Sequence, residues 1–390
     1  MKKLRTVALN DTMGHYHHFR LSCANTTLDC KAIQFSSIDH TNLWDASSDD
    51  NNRIITLFED RPITEIKIKM IQERVFEVLD DIKPEVVILS GWDATPSLLA
   101  LLWAIRNGRP TVIISESQEH DFKRNFFKEL LKKLLLKLID VAFVGGINQR
   151  SYLVKLGFKN ENIFEGCDVV DNSFFMEDST ESEIANLKLP KKYFLTSCRF
   201  VQKKNLKLLI KSFSLLSSEY SDWSLVLAGD GPLRDALEML VLENNMSDRV
   251  HFTGYLGSKE MKHVYAGASC FVLPSTTEQW GLVVNEALAT GIPVLCSENV
   301  GSAPNLLSEL HVGYMFDPMS SSDLLQKMIK IIQELKNTDF KFNARKVVSE
   351  WGQEKYSNNI HSASVLALEI YKKKNYVQEY LLKLFIYISK

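Results

Sequence analysis

Apolar positions in this chain fall into short runs, separated by stretches where they recur at helical spacing. In the first half, runs at 6–9, 32–35, 86–89, 111–114, 141–144 and 163–164 read as strands, with helical stretches between several of them. The second half repeats this grammar at 193–197, 224–228, 250–252, 270–273, 294–296 and 313–316. Strands that alternate with helices build parallel, doubly wound sheets, so the pattern predicts an α/β protein with two such lobes. Between them, residues 171–189 are polar and acidic, with no sustained apolar face before Pro190. That composition suits a surface connector containing a short helix.

Length agrees with the pattern, since 390 residues suggest two domains of ordinary size. A content of 45% hydrophobic and 24% charged residues is that of a soluble globular protein. The net charge of -2 gives no general attraction to nucleic acid, and no nucleic-acid partner is expected. Cys23, Cys30, Cys167, Cys198, Cys270 and Cys296 are scattered without a C-x-x-C pair or a zinc-like His spacing. They read as reduced, structural thiols of a cytoplasmic protein. The apolar run after Met1-Lys2-Lys3 is too short for a signal peptide and reads as the first strand; no segment approaches the length of a membrane span.

The densest chemistry lies at 274–294. Residues 270–273 read as a buried parallel strand ending at Pro274-Ser275, and 282–289 as a short helix stopped by Gly291. Glu278 then sits in the loop and Glu286 within the helix. A carboxylate accepts hydrogen bonds from two neighbouring hydroxyls of a sugar or ribose, and Gly281 lets backbone N–H groups approach a phosphate. This arrangement suits one wall of a cleft holding a polyhydroxylated ligand joined to a diphosphate.

Glu278, seven intervening residues and Glu286, followed by Ala287-Leu288-Ala289-Thr290-Gly291-Ile292-Pro293-Val294, resemble the signature of glycosyltransferase family 4. The resemblance implies the GT-B architecture, two Rossmann-like domains facing each other across a cleft. It also implies retaining transfer of a hexose-like sugar from a nucleoside diphosphate to a hydroxyl of a glycan or glycolipid, as in surface polysaccharide or glycolipid biosynthesis. The expected domains are 1–175 for the acceptor and 176–364 for the donor, with a helix at about 365–390 packing back on the first. Residues 166–175 resemble the family's hinge.

On the donor side, Arg199 and Lys204 occupy the positions of the family's diphosphate-binding Arg and Lys, with Lys203 the weaker candidate. The resemblance implies a metal-independent enzyme, so no metal or other cofactor is expected, and these cations and helix dipoles would have to neutralise the leaving diphosphate. The resemblance makes Glu278 the donor-sugar residue, grouped with Arg199 and Lys204 as catalytic. Glu286 would hold the ribose, and the backbone at Leu282 and Val283 would assist. Gly229-Asp230-Gly231 resembles the family's Gly-x-Gly turn, though a tight strand-to-helix turn explains it equally. Tyr255 follows the loop that holds the nucleobase through backbone atoms, and a UDP- or GDP-linked donor is expected.

On the acceptor side, the loop after the first strand carries His15, His17 and His18 in place of the family's glycine-rich loop. His15 and His17 are candidates for an acceptor or phosphate, and Asp93, Glu116 and His120 for binding or deprotonating the acceptor hydroxyl. A capping or turn role is an equal reading for the last three. Residues 122–139 form a basic amphipathic pattern that suits an anionic membrane surface as well as an ordinary lobe helix, and the apolar tail 380–390 shares that ambiguity. The expected location is the cytoplasm, with the inner face of the plasma membrane as the docking place. Two other classes stay open: a nucleotide-sugar 2-epimerase of the same architecture, and a non-catalytic sugar-nucleotide-binding protein.

Overall fold

The computed structural model describes residues 2–37, 52–59, 61–121, 124–216, 218–308 and 310–388. It divides into two units, Met1–Val169 with Gln353–Lys390, and Val170–Gly352.

The first unit is built on β1 (Arg5–Asn10), β2 (Asp29–Ser36), β3 (Ile54–Phe58), β4 (Val86–Ser90), β5 (Thr111–Ser115), β6 (Val141–Val144) and β7 (Ile163–Glu165). Between them run α1 (His15–Thr27), α2 (Ile68–Ile82), α3 (Thr95–Arg106), α4 (Phe126–Leu136) and α5 (Ile147–Lys155). The strands pair in parallel in the order β3-β2-β1-β4-β5-β6-β7. Six of these strands correspond to the runs read from sequence; β3 is an addition at the sheet edge. Side chains alternate between the two faces: Val7, Leu9, Val87 and Leu89 join one core cluster, while Val86 and Ile88 join the other. The first cluster takes the apolar stripe of α2, in which Ile71, Val75, Val78, Leu79 and Ile82 recur at helical spacing.

The second unit opens with α6 (Asn172–Met176) and α7 (Glu181–Asn186). Its strands are β8 (Tyr193–Ser197), β9 (Ser224–Ala228), β10 (Val250–Gly254), β11 (Cys270–Leu273), β12 (Val294–Ser297) and β13 (Gly313–Phe316). They pair in parallel in the order β10-β9-β8-β11-β12-β13. The helices are α8 (Leu206–Ser214), α9 (Arg234–Glu243), α10 (Ser258–Gly267), α11 (Leu282–Thr290), α12 (Ala303–Leu306), α13 (Ser321–Glu334) and α14 (Phe340–Ser349). The stretch read as a connector is anchored at its start. Asp171 caps α6 by accepting from the Ser173 and Phe174 N–H groups, and Phe175 is buried with its ring 6.0 Å from that of Tyr265.

The chain then returns to the first unit as α15 (Gln353–Ile370) and α16 (Tyr376–Ile388). Tyr356, Ile360, Ala363 and Ala367 of α15 are buried in one cluster with Leu21 and Ala24 of α1, and the Ser357 hydroxyl donates to the Cys23 carbonyl at 2.8 Å. Helix α16 packs on α3 through buried Leu382 and Ile386.

Candidate active site

In the second unit, β11 delivers the chain to a loop whose backbone is fixed on both sides. The Thr276 N–H donates to the Lys203 carbonyl at 2.8 Å, and the Gly301 N–H donates to the Glu278 carbonyl at 2.9 Å. These ties bring the loop before α8 against the loop before α11. As a result Lys204 donates to the Glu278 carboxylate, which also accepts from the Ser275 hydroxyl at 3.3 Å. Both members of the ion pair are mostly shielded, each side chain 14% exposed. Attraction between such charges is screened far less than at an open surface. The geometry therefore holds a cation and a carboxylate side by side. Arg199 lies on the same loop as Lys204 and is exposed.

Gly281 starts α11 at φ +91, where a side chain is strained, and a Cβ there would lie 3.1 Å from both Leu273 and Val300. No side chain caps the helix, so the first-turn N–H groups at Leu282 and Val283 have no capping side chain. Trp280 is buried and donates from its indole to Asn285 at 3.0 Å, which fixes the entry into the helix. One turn on, Glu286 is only 6% exposed and accepts from the Tyr265 hydroxyl of α10 at 2.8 Å. Tyr265 was not among the residues singled out from sequence.

Gly229 and Gly231 have a structural explanation. A Cβ on Gly229 would sit 2.0 Å from the Cys198 carbonyl oxygen, and one on Gly231 would sit 2.7 Å from the Phe200 backbone. The turn after β9 is thus pressed against the loop that carries Arg199, and only glycine allows that approach. Tyr255, just beyond β10, is 58% exposed.

In the first unit, His15 is exposed and its ring lies 3.8 Å from that of Tyr16. His17 accepts from the Gly14 N–H at 3.2 Å through Nδ1, and burial, with Arg20 beside it, pulls its pKa down to about 3. It is therefore neutral at ordinary pH. Asp93 and His120 are exposed on the loops after β4 and β5. Glu116, at the end of β5, faces Arg20 at 3.5 Å, and Arg20 also donates to buried Asp168 at 2.7 Å. Burial, reinforced by the charge of Glu116, pushes the Asp168 carboxyl well above its usual range. Arg20 and Asp168 were missed in the sequence because each is a single polar residue among apolar neighbours.

Helix α4 lies within the basic segment, of which Phe122 and Lys123 fall outside the described residues. Its outer side exposes Phe126 at 77% and Phe127 at 73%, with Leu130, Leu131 and Leu134 beside them. Arg124 and Lys132 turn inward: Arg124 donates to the Glu119 carbonyl, and Lys132 to the Tyr152 hydroxyl at 2.9 Å. Lys128, Lys133 and Lys137 remain exposed. Among the described residues, no helix is long and apolar enough to cross a membrane.

Comparison with known proteins agrees with this architecture. The chain is 32% identical over 175 residues to the uncharacterized glycosyltransferase YqgM of Bacillus subtilis strain 168, covering 45% of this chain and 46% of that protein. It is 23% identical over 246 residues to a Campylobacter jejuni enzyme, N-acetylgalactosamine-N,N'-diacetylbacillosaminyl-diphospho-undecaprenol 4-alpha-N-acetylgalactosaminyltransferase, covering 61% of this chain and 65% of that one. Both alignments span less than two thirds of the relative's length. The crystal structure of Anabaena HepE in complex with UDP superposes with a TM-score of 0.70 at 15% identity, over 92% of this chain and 99% of that chain. With its two parallel sheets of seven and six strands, the chain has the GT-B fold expected from sequence. Residues 177–347, nearly all of the second unit, match the family model "Glycosyl transferases group 1".

Proposed function

We propose that the protein is a retaining glycosyltransferase that moves a sugar from a nucleoside diphosphate to a hydroxyl of a glycan or glycolipid. The observation that carries this reading is the shielded pairing of Lys204 with Glu278 beside the uncapped start of α11. A cation for a leaving diphosphate and an acceptor for sugar hydroxyls are thereby set in one place before any substrate arrives. Preorganised charge of this kind stabilises a transition state without reorganisation at the moment of reaction. The family match and the UDP held by the structural neighbour HepE support a nucleotide-linked donor.

In this reading the bond from the anomeric carbon to the diphosphate breaks, and a bond to the acceptor oxygen forms on the same face of the sugar. The acceptor proton passes to the leaving diphosphate oxygen. Arg199 and Lys204 stabilise the charge that grows on that diphosphate, joined by the N–H groups of Leu282 and Val283, and no metal is required. Glu278 holds the donor sugar and Glu286 the ribose. His15, His17, Asp93, Glu116 and His120 of the first unit serve the acceptor, with neutral His17 acting as a hydrogen-bonding group.

The exposed face of α4 favours an acceptor in a lipid surface. Phe126 and Phe127 supply apolar area for the acyl boundary, while Lys128, Lys133 and Lys137 meet anionic headgroups. The Campylobacter relative's acceptor, by its name, is a diphospho-undecaprenol-linked saccharide. This reading places the protein at the cytoplasmic face of a membrane, in surface glycan or glycolipid assembly.

The deciding experiment incubates the protein with UDP- and GDP-sugars, with and without membrane lipid extracts, and follows the products by mass spectrometry. Transfer that falls about 100- to 1,000-fold in Lys204→Ala and Glu278→Ala, with unchanged circular dichroism, fits the loss of one such stabilising group. Epimer formed from a nucleotide sugar alone refutes the transferase reading in favour of an epimerase. Biological activity that survives Glu278→Ala points instead to a non-catalytic binding protein.

A further inference from the structure

The sheet of the first unit reverses its strand order between β1 and β4. Loops leaving neighbouring strands on the two sides of such a reversal diverge, and a crevice forms at their carboxyl ends. A hollow of about 360 Å3 lies there, lined by Asp11 from the loop after β1, Asp93 and Thr95 from the loop after β4, and Thr64, Ile66 and Ile71 from the segment leading into α2. Its size falls in the lower part of the range of about 300–1,000 Å3 for small-molecule sites.

The two carboxylates stand on fixed backbone. The Asp11 carbonyl accepts from the Phe35 and Ser36 N–H groups at 3.0 and 3.2 Å, pinning its loop to the end of β2. Gly91 turns the other loop at φ +68, and its N–H donates to the Ile114 carbonyl at 2.9 Å. A Cβ at Gly91 would lie 3.2 Å from Asp93 Oδ1, so the glycine leaves room for that carboxylate.

The lining is selective in its chemistry. Among the described residues it contains two carboxylates and threonine hydroxyls but no lysine, arginine or histidine. A carboxylate takes hydrogen bonds from neighbouring hydroxyls and repels an anion. Ile66 and Ile71 supply the apolar side that a sugar ring's C–H face needs.

We propose that this hollow binds a neutral pyranose, with neighbouring hydroxyls donating to Asp11 and Asp93, as the subsite for the terminal sugar of the acceptor. Its role as an acceptor subsite rests on the proposed transferase activity; the saccharide site itself rests on the hollow. It follows that the acceptor ends in an uncharged sugar rather than a uronic acid or a sugar phosphate.

The test uses saturation-transfer NMR on the full chain with methyl glycosides of glucose, galactose, mannose, N-acetylglucosamine and glucuronic acid, alongside UDP and GDP binding by calorimetry. At least one neutral glycoside is expected to bind at millimolar concentration, with the glucuronide at least tenfold weaker. Asp11→Asn and Asp93→Asn each lower affinity for the neutral glycoside about tenfold and leave nucleotide binding unchanged. The proposal is overturned if no neutral glycoside binds, if the glucuronide binds equally well, or if both variants bind as the wild type does. Saturation seen only with a nucleotide sugar assigns the hollow to the donor's sugar and removes the acceptor assignment. Glycoside binding without any nucleotide binding leaves the saccharide site standing while the transferase reading falls.

Discussion

Tyr265→Phe isolates one hydrogen bond on which the donor-side reading depends. The hydroxyl is fully buried and donates at 2.8 Å to Glu286, itself only 6% exposed. Replacement by phenylalanine keeps the ring that packs 6.0 Å from Phe175 and 5.6 Å from Phe271. What is lost is a donor to a shielded carboxylate, and a hydrogen bond to a charged group is worth about 1.5–3 kcal/mol. The variant is therefore expected to unfold about 2 kcal/mol more easily in urea, in line with that range. If Glu286 holds the ribose, as proposed, loss of this contact should weaken UDP or GDP binding about tenfold by calorimetry. A ribose ligand acts alike before and during the reaction, so on this reading KM should rise and kcat stay nearly constant. Glu286→Ala serves as the control and should weaken the nucleotide further. Refutation is direct: if Tyr265→Phe loses stability while nucleotide affinity is unchanged in both variants, Glu286 is a structural carboxylate and not a ribose ligand.

Other predictions address the framework and the surface. Gly229→Ala places a Cβ 2.0 Å from the Cys198 carbonyl at φ +127 and should cost roughly 3 kcal/mol or more, read as a lowered Tm or loss of soluble protein. Gly254→Ala has nothing nearer than 3.9 Å at φ +72 and should cost only about 1–2 kcal/mol, the price of the left-handed backbone. His17, whose pKa is pulled from 6.5 to about 3, stays neutral on acidification while the unfolded chain takes up its proton. Its contribution is thus fully present above about pH 6.5 and is lost as pH falls toward 3, about 2 kcal/mol of it between pH 7 and 5. His17→Gln should flatten that part of the urea-melt pH profile, and an unchanged slope would contradict the assignment. Phe126→Ser with Phe127→Ser should abolish cosedimentation with vesicles containing anionic lipid and leave transfer to a soluble acceptor intact; equal binding by the variant would exclude α4 as the docking element.

The parts of this protein that could be read from sequence are those fixed by one continuous segment. Twelve strands announce themselves as apolar runs because both faces of each sheet are covered. Edge strand β3 was overlooked although Ile54-Ile55-Thr56-Leu57-Phe58 is a β-branched and apolar run; four of its five residues are only half-buried, and it is short. The placing of Glu278 in a loop and Glu286 in the following helix is likewise local, and the Gly291 stop sits at φ +100 as its position after the helix requires. Contacts set by topology were not legible. Tyr265 meets Glu286 across 21 positions of sequence and Arg20 meets Asp168 across 148, while Lys204 and Glu278, 74 positions apart, are joined in the sequence only through the family resemblance. Periodicity cannot assign such pairs, because each depends on which strands lie side by side.

Of the two readings that the sequence leaves open for the Gly-x-Gly turn, the packing accounts for the tight strand-to-helix turn. From sequence, Gly229 and Gly231 suggest equally a backbone left open to a ligand and a tight strand-to-helix turn. In the structure that backbone is pressed against Cys198 and Phe200, with the Phe200 N–H donating to the Asp230 carbonyl at 2.8 Å. The glycines thereby hold in place the loop that carries Arg199 and leads to Lys204, whose neighbour Lys203 is tied to Thr276 and so to the loop of Glu278. On the proposed reading, a glycine in this turn can therefore affect a diphosphate without touching it, by fixing where Arg199 and Lys204 stand. Loss of nucleotide affinity in a Gly231 variant is thus no proof of direct contact, whereas a Lys204 variant that folds normally tests the charge itself.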